Sequence, residues 1–162
     1  MTRHETIAAA SDPFGEDIQM IRAQLRRLIE TEVKPKGESW EEKGMVPREV
    51  LRQMGALGVL GMRYDEQYGG AGVDVMSSVM LAEEVGRSTF GGFSATVLVH
   101  TDMASPHLEN AGTPEQKARW MPGITAGETI TAVAVTEPGA GSDVAGTRTR
   151  AVQEGSDWVL NG

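Results

Sequence analysis

The sequence contains no cysteine among its 162 residues. This absence excludes disulfide bridges, thiolate metal sites and cysteine nucleophiles. The sequence also lacks an apolar run of the length that a membrane-spanning helix needs. Because 40% of the residues are nevertheless hydrophobic, we expect the chain to bury a substantial core.

Positive charge is scarce: 15 lysines and arginines stand against 23 aspartates and glutamates, which gives a net charge of −8. Basic side chains that neutralise phosphates supply most of the affinity for nucleic acid and for anionic membrane surfaces. We therefore expect neither nucleic acid nor a membrane as a partner. An anionic ligand must be held by a local set of donors, since the overall field opposes it.

The first fifteen residues contain Glu5 and Asp12 and no apolar stretch. Secretory signals need an apolar region, and organelle-targeting segments are poor in acidic residues. We therefore expect a cytoplasmic protein.

Apolar residues at three- and four-residue spacing predict helices over roughly the first 125 residues. Asp12 and Pro13 are typical of a helix start, and Pro35 favours an end near Val33. Further helices are predicted from Pro47 (inward residues Val50, Leu51, Met54, Leu57), from Asp74 to about Arg87 (apolar positions Val75, Val79, Met80, Val85), over residues 93–108, and from Thr113 to about Pro122.

The hydrophobic period changes after these helices. β-Branched residues predict strands at residues 130–136, 144–152 and 158–160. Three strands without a closing partner leave an exposed edge, so we expect a truncated chain or a partner that completes the sheet. The predicted fold class is α+β: an N-terminal all-α helical domain at 1–128, followed at 129–162 by the first strands of an incomplete antiparallel β-domain.

The most informative stretch is Thr-Glu-Pro-Gly-Ala-Gly-Ser-Asp at residues 136–143. Pro138 restricts one backbone angle, whereas Gly139 and Gly141 permit positive φ values. Such a loop can turn several N–H groups towards one anion, and Ser142 adds a hydroxyl donor. The spacing matches neither the dinucleotide fingerprint nor a P-loop. On these residues alone, a ligand cradle and a structural connection between two strands both remain open.

Residues 131–146, Thr-Ala-Val-Ala-Val-Thr-Glu-Pro-Gly-Ala-Gly-Ser-Asp-Val-Ala-Gly, closely resemble the signature of acyl-CoA dehydrogenases. The resemblance continues at 66–72 (Glu-Gln-Tyr-Gly-Gly-Ala-Gly), 111–117 (Ala-Gly-Thr-Pro-Glu-Gln-Lys) and 155–162 (Gly-Ser-Asp-Trp-Val-Leu-Asn-Gly). It covers nearly the whole chain in the order of that family. The resemblance is specific for the superfamily but not for a substrate.

The resemblance implies three parts, namely a helical domain, a middle β-domain and a C-terminal helical bundle. This chain would supply the first part and the beginning of the second, without the bundle. The implied reaction oxidises an acyl-CoA to a 2,3-enoyl-CoA: a carboxylate removes the α-proton while hydride leaves the β-carbon for FAD. Electron-transfer flavoprotein would take up the electrons, and the full-length protein would form a homo-oligomer, a homotetramer. The catalytic glutamate would lie in the bundle, so no catalytic residue is assigned and this fragment alone is expected to be inactive.

The resemblance also implies the cofactor-binding residues. Val133 would lie close to the flavin, and Val135 and Thr136 would touch its ring through backbone and hydroxyl. Gly141 and Ser142 would contact the pyrophosphate through N–H and hydroxyl groups. Ser142 would additionally lie beside the CoA arm.

The resemblance also implies that the segment with His100 and Thr101 corresponds to a helix that borders the acyl pocket in that family, so both residues are predicted to bind substrate. A histidine whose hydrogen bonds are satisfied by its neighbours is the alternative for His100. Together with His4 and His107, His100 is too isolated to suggest a metal site.

The acidic residues offer no obvious base. We interpret Glu83 and Glu84 as a solvated helix end and Glu137 as a loop acid. Arg22 and Arg26 are interpreted as part of a solvated or interdomain face.

Two alternatives to the dehydrogenase remain. An acyl-CoA oxidase or a flavin monooxygenase would share the fold, and the missing glutamate and oxygen access near the flavin would distinguish them. A non-catalytic helical assembly module would have no use for the loop at 136–143.

Overall fold

The computed structural model describes residues 14–162, and the chain divides into two compact units between Ala132 and Val133. The described part of the first unit is helical, and the second unit contains a small sheet. The predicted α+β class, with helices first and an antiparallel sheet after them, is confirmed. No helix within residues 14–162 is long and apolar enough to cross a membrane.

Seven α-helices occur within residues 14–132, some of them joined by π-helical turns. They are α1 (Glu16–Leu28), α2 (Gly37–Lys43), α3 (Arg48–Ala56), α4 (Met76–Gly86), α5 (Gly91–Leu98), α6 (Ser105–Ala111) and α7 (Pro114–Thr125). The π-helical segment Ile29–Val33 continues α1, and Val99–Ala104 joins α5 to α6. The sequence pattern did not predict α2, because its charged and small residues show no apolar periodicity.

The predicted helix boundaries are mostly confirmed. The first helix ends at Val33 as expected, whereas its proposed start at Asp12 and Pro13 lies outside the described residues. A capping box opens α7: Thr113 Oγ1 accepts from the Gln116 N–H at 3.2 Å, and Gln116 Oε1 accepts from the Thr113 N–H at 2.8 Å.

The helix α7, predicted to end at about Pro122, continues for three more residues to Thr125. Proline removes an N–H donor from the helix but keeps its carbonyl acceptor. The Pro122 carbonyl accepts from the Ala126 N–H at 3.1 Å and from the Thr125 hydroxyl at 3.0 Å. These bonds preserve the last turn.

The main core lies between α1, α3, α4 and α5. Its fully buried members include Leu25, Ile29, Val33, Met54, Met80, Leu81, Val85, Phe93 and Val97. The predicted inward residues of α3 are confirmed for Val50, Leu51 and Met54, while Leu57 is half-buried.

The predicted apolar face of α4 is only partly right. Met80 and Val85 are buried, but Val75 and Val79 are 59% and 45% exposed. Val75 precedes the first helical residue, and Val79 lies beside the buried row rather than within it. That row consists of Ser77, Met80, Leu81, Glu84 and Val85.

Glu84 therefore faces the core, and the interpretation of it as part of a solvated helix end is wrong. Its carboxylate is 0% exposed and accepts from Arg22 Nε at 2.7 Å and from Arg26 Nε at 2.9 Å and Nη2 at 2.5 Å. Glu83 is half exposed and pairs with Arg22 Nη2 at 2.7 Å. The arginines thus join α1 to α4 rather than forming an ordinary solvated face.

Burial by itself raises the pKa of the Glu84 carboxyl. Hydrogen bonds and charge from Arg26 and Arg22 outweigh burial and hold that pKa below its usual value of 4.5. The ionised Glu84 therefore contributes its full stabilisation of the fold above the usual pKa of 4.5. This stabilisation is lost as the pH falls through the lower pKa of the folded state.

The second unit contains an antiparallel pair, β1 (Arg150–Glu154) and β2 (Asp157–Asn161), with Val152 opposite Val159. The strand predicted at 158–160 and the end of the one predicted at 144–152 are confirmed. Val144–Gly146 forms a 3₁₀ turn instead of a strand. The strand predicted at 130–136 is wrong, because no strand within residues 14–162 pairs with it and β-structure requires a hydrogen-bonded neighbour.

Glu84→Gln should lower the free energy of unfolding by about 2–3 kcal/mol, because two arginines lose the charge that compensates them. Chemical denaturation at pH 7 measures this loss. Glu83→Gln is the matched control, since its half-exposed pair should contribute less than about 1 kcal/mol. Equal losses in the two variants would contradict the assigned role of Glu84.

Candidate functional site

The candidate ligand loop, residues 136–143, is closed by a tight turn. The Glu137 N–H donates to the Ala140 carbonyl at 2.8 Å, and the Ala140 N–H donates back to the Glu137 carbonyl at 3.1 Å. Ala140 is buried, whereas Gly139, Gly141 and Ser142 are exposed. The turn therefore holds the loop from one side and leaves its glycine-rich part accessible.

The accessible part of the loop has unused donors. The N–H groups of Gly141 and Ser142 and the Ser142 hydroxyl donate no hydrogen bond to any residue in the range 14–162. A Cβ atom at Gly139 or Gly141 would meet no heavy atom of the described residues within 4 Å. Three free donors beside open space suit an anion such as a diphosphate.

The positive φ angles that the sequence permits at the glycines of the loop are not adopted. Neither Gly139 nor Gly141 adopts a positive φ. What remains distinctive about them is the missing side chain, which keeps the surface above the loop open. The loop therefore resembles a shallow platform of donors more than a nest built from left-handed residues.

The other three predicted cofactor residues lie in the segment without regular secondary structure that leads into the loop, of which Thr136 is the first residue. Val135 is 41% exposed, Thr136 is exposed and Val133 is half-buried. The Thr136 hydroxyl makes no hydrogen bond within the described part of the chain. Val135, Thr136, Gly141 and Ser142 are thus exposed in the second unit while Val133 is half-buried, and the roles of all five at a cofactor stay predictions.

Glu137 is engaged within the same unit. Its Oε2 accepts from the Arg148 N–H at 2.9 Å, and its Oε1 accepts from the Thr149 N–H at 2.8 Å and from the Thr149 hydroxyl. The Thr149 hydroxyl, with the two backbone amides, lowers the pKa of Glu137. An ionised carboxylate with its oxygens in use is a poor proton acceptor.

His100 lies in the first unit and is 0% exposed. Its Nε2 is 3.1 Å from the Ile124 carbonyl, which can only accept, so Nε2 carries the hydrogen. Its Nδ1 accepts from the Thr131 N–H at 3.2 Å and lies 2.9 Å from the Thr131 hydroxyl. The imidazole is therefore neutral, and burial lowers its pKa below the usual 6.5.

Thr101 is also engaged by its neighbours. Its hydroxyl lies 3.1 Å from the Val97 carbonyl and 2.7 Å from Asp102 Oδ2, and its carbonyl accepts from the Tyr64 hydroxyl. Burial raises the pKa of Tyr64 to about 12, so that phenol remains a donor. The contacts of His100 and Thr101 favour a structural role, and a substrate contact at either residue stays a prediction.

Sequence reasoning missed two threonines that organise these sites. Thr131 links His100 to Ser105, whose hydroxyl lies 2.8 Å from that of Thr131. Thr149 supplies two of the three donors to Glu137. Both partnerships join positions more than ten residues apart, and no periodic pattern marks such pairs. Within residues 14–162, no three His, Asp or Glu side chains are arranged to hold a metal ion, and His4 lies outside this range.

Comparison with known proteins places the chain in a family. A family profile described as "Acyl-CoA dehydrogenase, N-terminal domain" matches residues 15–128. The mitochondrial long-chain specific acyl-CoA dehydrogenase of Rattus norvegicus is 42% identical over 151 residues, which are 92% of this chain and 34% of the relative. The chain therefore belongs to the acyl-CoA dehydrogenase family. It spans about a third of the length of the curated relatives that it matches.

Solved structures agree with this assignment. An acyl-CoA dehydrogenase from Geobacillus kaustophilus is 39% identical with a TM-score of 0.84, and the match covers 94% of this chain and 40% of that one. A glutaryl-CoA dehydrogenase from Mycobacterium smegmatis in complex with FADH2 is 38% identical with a TM-score of 0.82, covering 92% of this chain and 38% of that one.

The stability of the helical unit should fall as the pH drops from 7 to 5, because the unfolded state protonates His100 below pH 6.5 while the folded state resists it. One proton contributes at most about 1.4 kcal/mol per pH unit to this slope. Denaturant titrations across the range should show a shallower slope for His100→Gln. His107→Gln, which removes an exposed imidazole, is the control. A slope that is equally reduced in both variants would contradict the role of His100.

Proposed function

We propose that this chain is the N-terminal part of a FAD-dependent enzyme that oxidises acyl-CoA thioesters to 2,3-enoyl-CoA and delivers the electrons to an electron-transfer flavoprotein. Membership of the acyl-CoA dehydrogenase family supports the reaction class. The FADH2 complex of the Mycobacterium smegmatis relative supports the flavin. In this proposal, residues 1–128 form the helical domain and residues 129–162 begin the β-domain.

The observation that carries the proposal is the set of free donors on the loop. Gly141 and Ser142 present two N–H groups and a hydroxyl beside open space, as a diphosphate requires. Val133, Val135 and Thr136 lie in a segment without regular secondary structure in which Val135 and Thr136 are exposed, and we place this segment along the planar ring. A bound FAD would supply the hydride acceptor, and these residues would bind and orient it.

Removal of the α-proton needs a base that faces the α-carbon. Two of the acids considered from the sequence are committed elsewhere: Glu84 is buried against Arg22 and Arg26, and Glu137 holds the amides of Arg148 and Thr149. We therefore assign the base to a part of the protein beyond these 162 residues, in keeping with the family resemblance.

The proposal specifies the thioester class and leaves the acyl group open, because the relatives are named for long-chain and glutaryl substrates. In keeping with the family resemblance, the proposal assigns the segment Val99–Ala104, which carries His100 and Thr101, to the wall of an acyl pocket. Ser142 lies beside the CoA arm as well as the cofactor. A homo-oligomer and a cytoplasmic location stay predictions, which light scattering and cell fractionation would test.

Ser142→Ala should weaken FAD binding by the polypeptide at its natural length, because one hydrogen bond to a charged phosphate is lost. The expected loss is about 1.5–3 kcal/mol, measured by fluorescence titration of the apoprotein. Gly141→Val should be worse, since its side chain would fill the open space above the loop. Ser156→Ala, an exposed serine in the turn between β1 and β2, is the control and should bind normally. Unchanged FAD affinity in Ser142→Ala and Gly141→Val would refute the loop as the phosphate site.

The 162-residue chain by itself should not oxidise acyl-CoA, because the base is assigned elsewhere. The purified chain with excess FAD is mixed anaerobically with acyl-CoAs of several lengths, and bleaching of the flavin absorbance is followed. Substrate-dependent bleaching at an enzymatic rate would show that the base lies within this chain.

A further inference from the structure

The carboxylate of Glu137 joins two stretches of the second unit that lie eleven and twelve residues apart in sequence. Its two oxygens accept from the Arg148 N–H at 2.9 Å, the Thr149 N–H at 2.8 Å and the Thr149 hydroxyl. One side chain therefore closes the segment between these positions into a loop. Gly141 and Ser142, which carry the free donors, lie within that segment.

The other hydrogen bonds recorded within this segment are local. The Glu137–Ala140 pair, the bond from Gly146 N–H to the Asp143 carbonyl at 3.1 Å and the bond from Thr147 N–H to the Val144 carbonyl at 3.1 Å each span three residues. Such bonds shape single turns but do not fix one turn relative to the next. Within residues 14–162, the Glu137 carboxylate is what ties the start of this segment to its end.

An acidic residue is otherwise out of place at the edge of an anion site, because its charge repels a diphosphate. The charge of Glu137 is directed at three donors, and hydrogen bonds to an ionised acceptor are stronger than neutral ones. The hydrogen bonds from Thr149 and Arg148 lower the pKa of Glu137, so the carboxyl stays ionised to a lower pH than an ordinary glutamate does. Glutamine could not replace it, since the amide NH₂ would face the N–H of Arg148 or Thr149.

We propose that Glu137 is a positioning residue for cofactor binding, which holds the donors of Gly141 and Ser142 in place by clamping the loop to Arg148 and Thr149. The inference rests on the proposed function, because that function assigns the diphosphate of FAD to this loop. Glu137 acts through the loop and does not contact the cofactor.

The direction of the effect separates positioning from electrostatics. Removing a negative charge near an anion site favours anion binding, so a purely electrostatic role predicts that Glu137→Gln binds FAD more tightly. Loss of the clamp predicts weaker binding, by about tenfold or more for a carboxylate with three partners. Glu154→Gln is the matched control, because it also removes one exposed carboxylate from the second unit. The Glu154 carboxylate makes no hydrogen bond within residues 14–162. This variant should bind FAD as tightly as the wild type or slightly more tightly.

The experiment measures FAD dissociation constants and amide hydrogen exchange for the polypeptide at its natural length. In Glu137→Gln we expect weaker FAD binding and faster exchange at Arg148 and Thr149. Paired amides of β1 and β2 should keep their protection, which distinguishes loss of the clamp from unfolding. Thr149→Val removes one donor and keeps both backbone amides, so its effect should be smaller and in the same direction.

The outcomes separate this inference from the function on which it rests. If Ser142→Ala weakens FAD binding but Glu137→Gln and Thr149→Val do not, positioning by Glu137 is overturned and the phosphate site stands. If neither Ser142→Ala nor Gly141→Val changes the affinity, the loop is not the phosphate site and both fail. Weakened binding in Glu137→Gln with intact protection of β1 and β2 supports the clamp.

Discussion

The helical unit depends on a buried charge. The Glu84 carboxylate lies in the row of α4 residues that faces the core, where an unpaired charge would cost far more than the packing around it contributes. Arg22 and Arg26 of α1 supply the compensating bonds. The position of α1 on α4 is therefore set by charge as well as by apolar contact, since a shift along either helix would leave the carboxylate without its partners.

Similar long-range polar links recur where the chain approaches the candidate site. His100 binds the Ile124 carbonyl near the end of α7 and Thr131 in the segment that follows this helix. The neutral imidazole of His100 thus connects the segment after α7 to the helical segment that carries His100. In the second unit Glu137 performs a comparable task for the cofactor loop. The polar atoms of His100 and Glu137 thus make hydrogen bonds to the backbone.

The proposed ligand site differs from these residues, because its hydrogen-bond donors have no partner in the described part of the chain. Within residues 14–162, the donors of Gly141 and Ser142 are unpaired and no atom lies within 4 Å of the position that a Cβ of Gly141 would occupy. The contrast between satisfied groups around the loop and free groups on it distinguishes scaffold from site. It also supports a division of labour in which this chain binds and orients a cofactor while proton removal is supplied from elsewhere in the protein.

Local patterns determined much of this protein. The helices α1, α3 and α4 follow from apolar residues at helical spacing, and the structure confirms them, although Val75 and Val79 near the start of α4 are exposed. The signature at residues 131–146 identified the family, since a motif keeps its order and spacing whatever surrounds it. The residues proposed to hold the cofactor could be named for the same reason.

Tertiary structure alone decided which polar residues serve the fold. Nothing near Glu84 in the sequence indicates that Arg22 and Arg26 reach it, because those partners lie on another helix about sixty residues away. Strand formation at 130–136 likewise depends on a neighbour and not on β-branched residues alone. Burial and hydrogen-bond partners are determined by tertiary packing. The sequence shows only which interactions each residue is able to make.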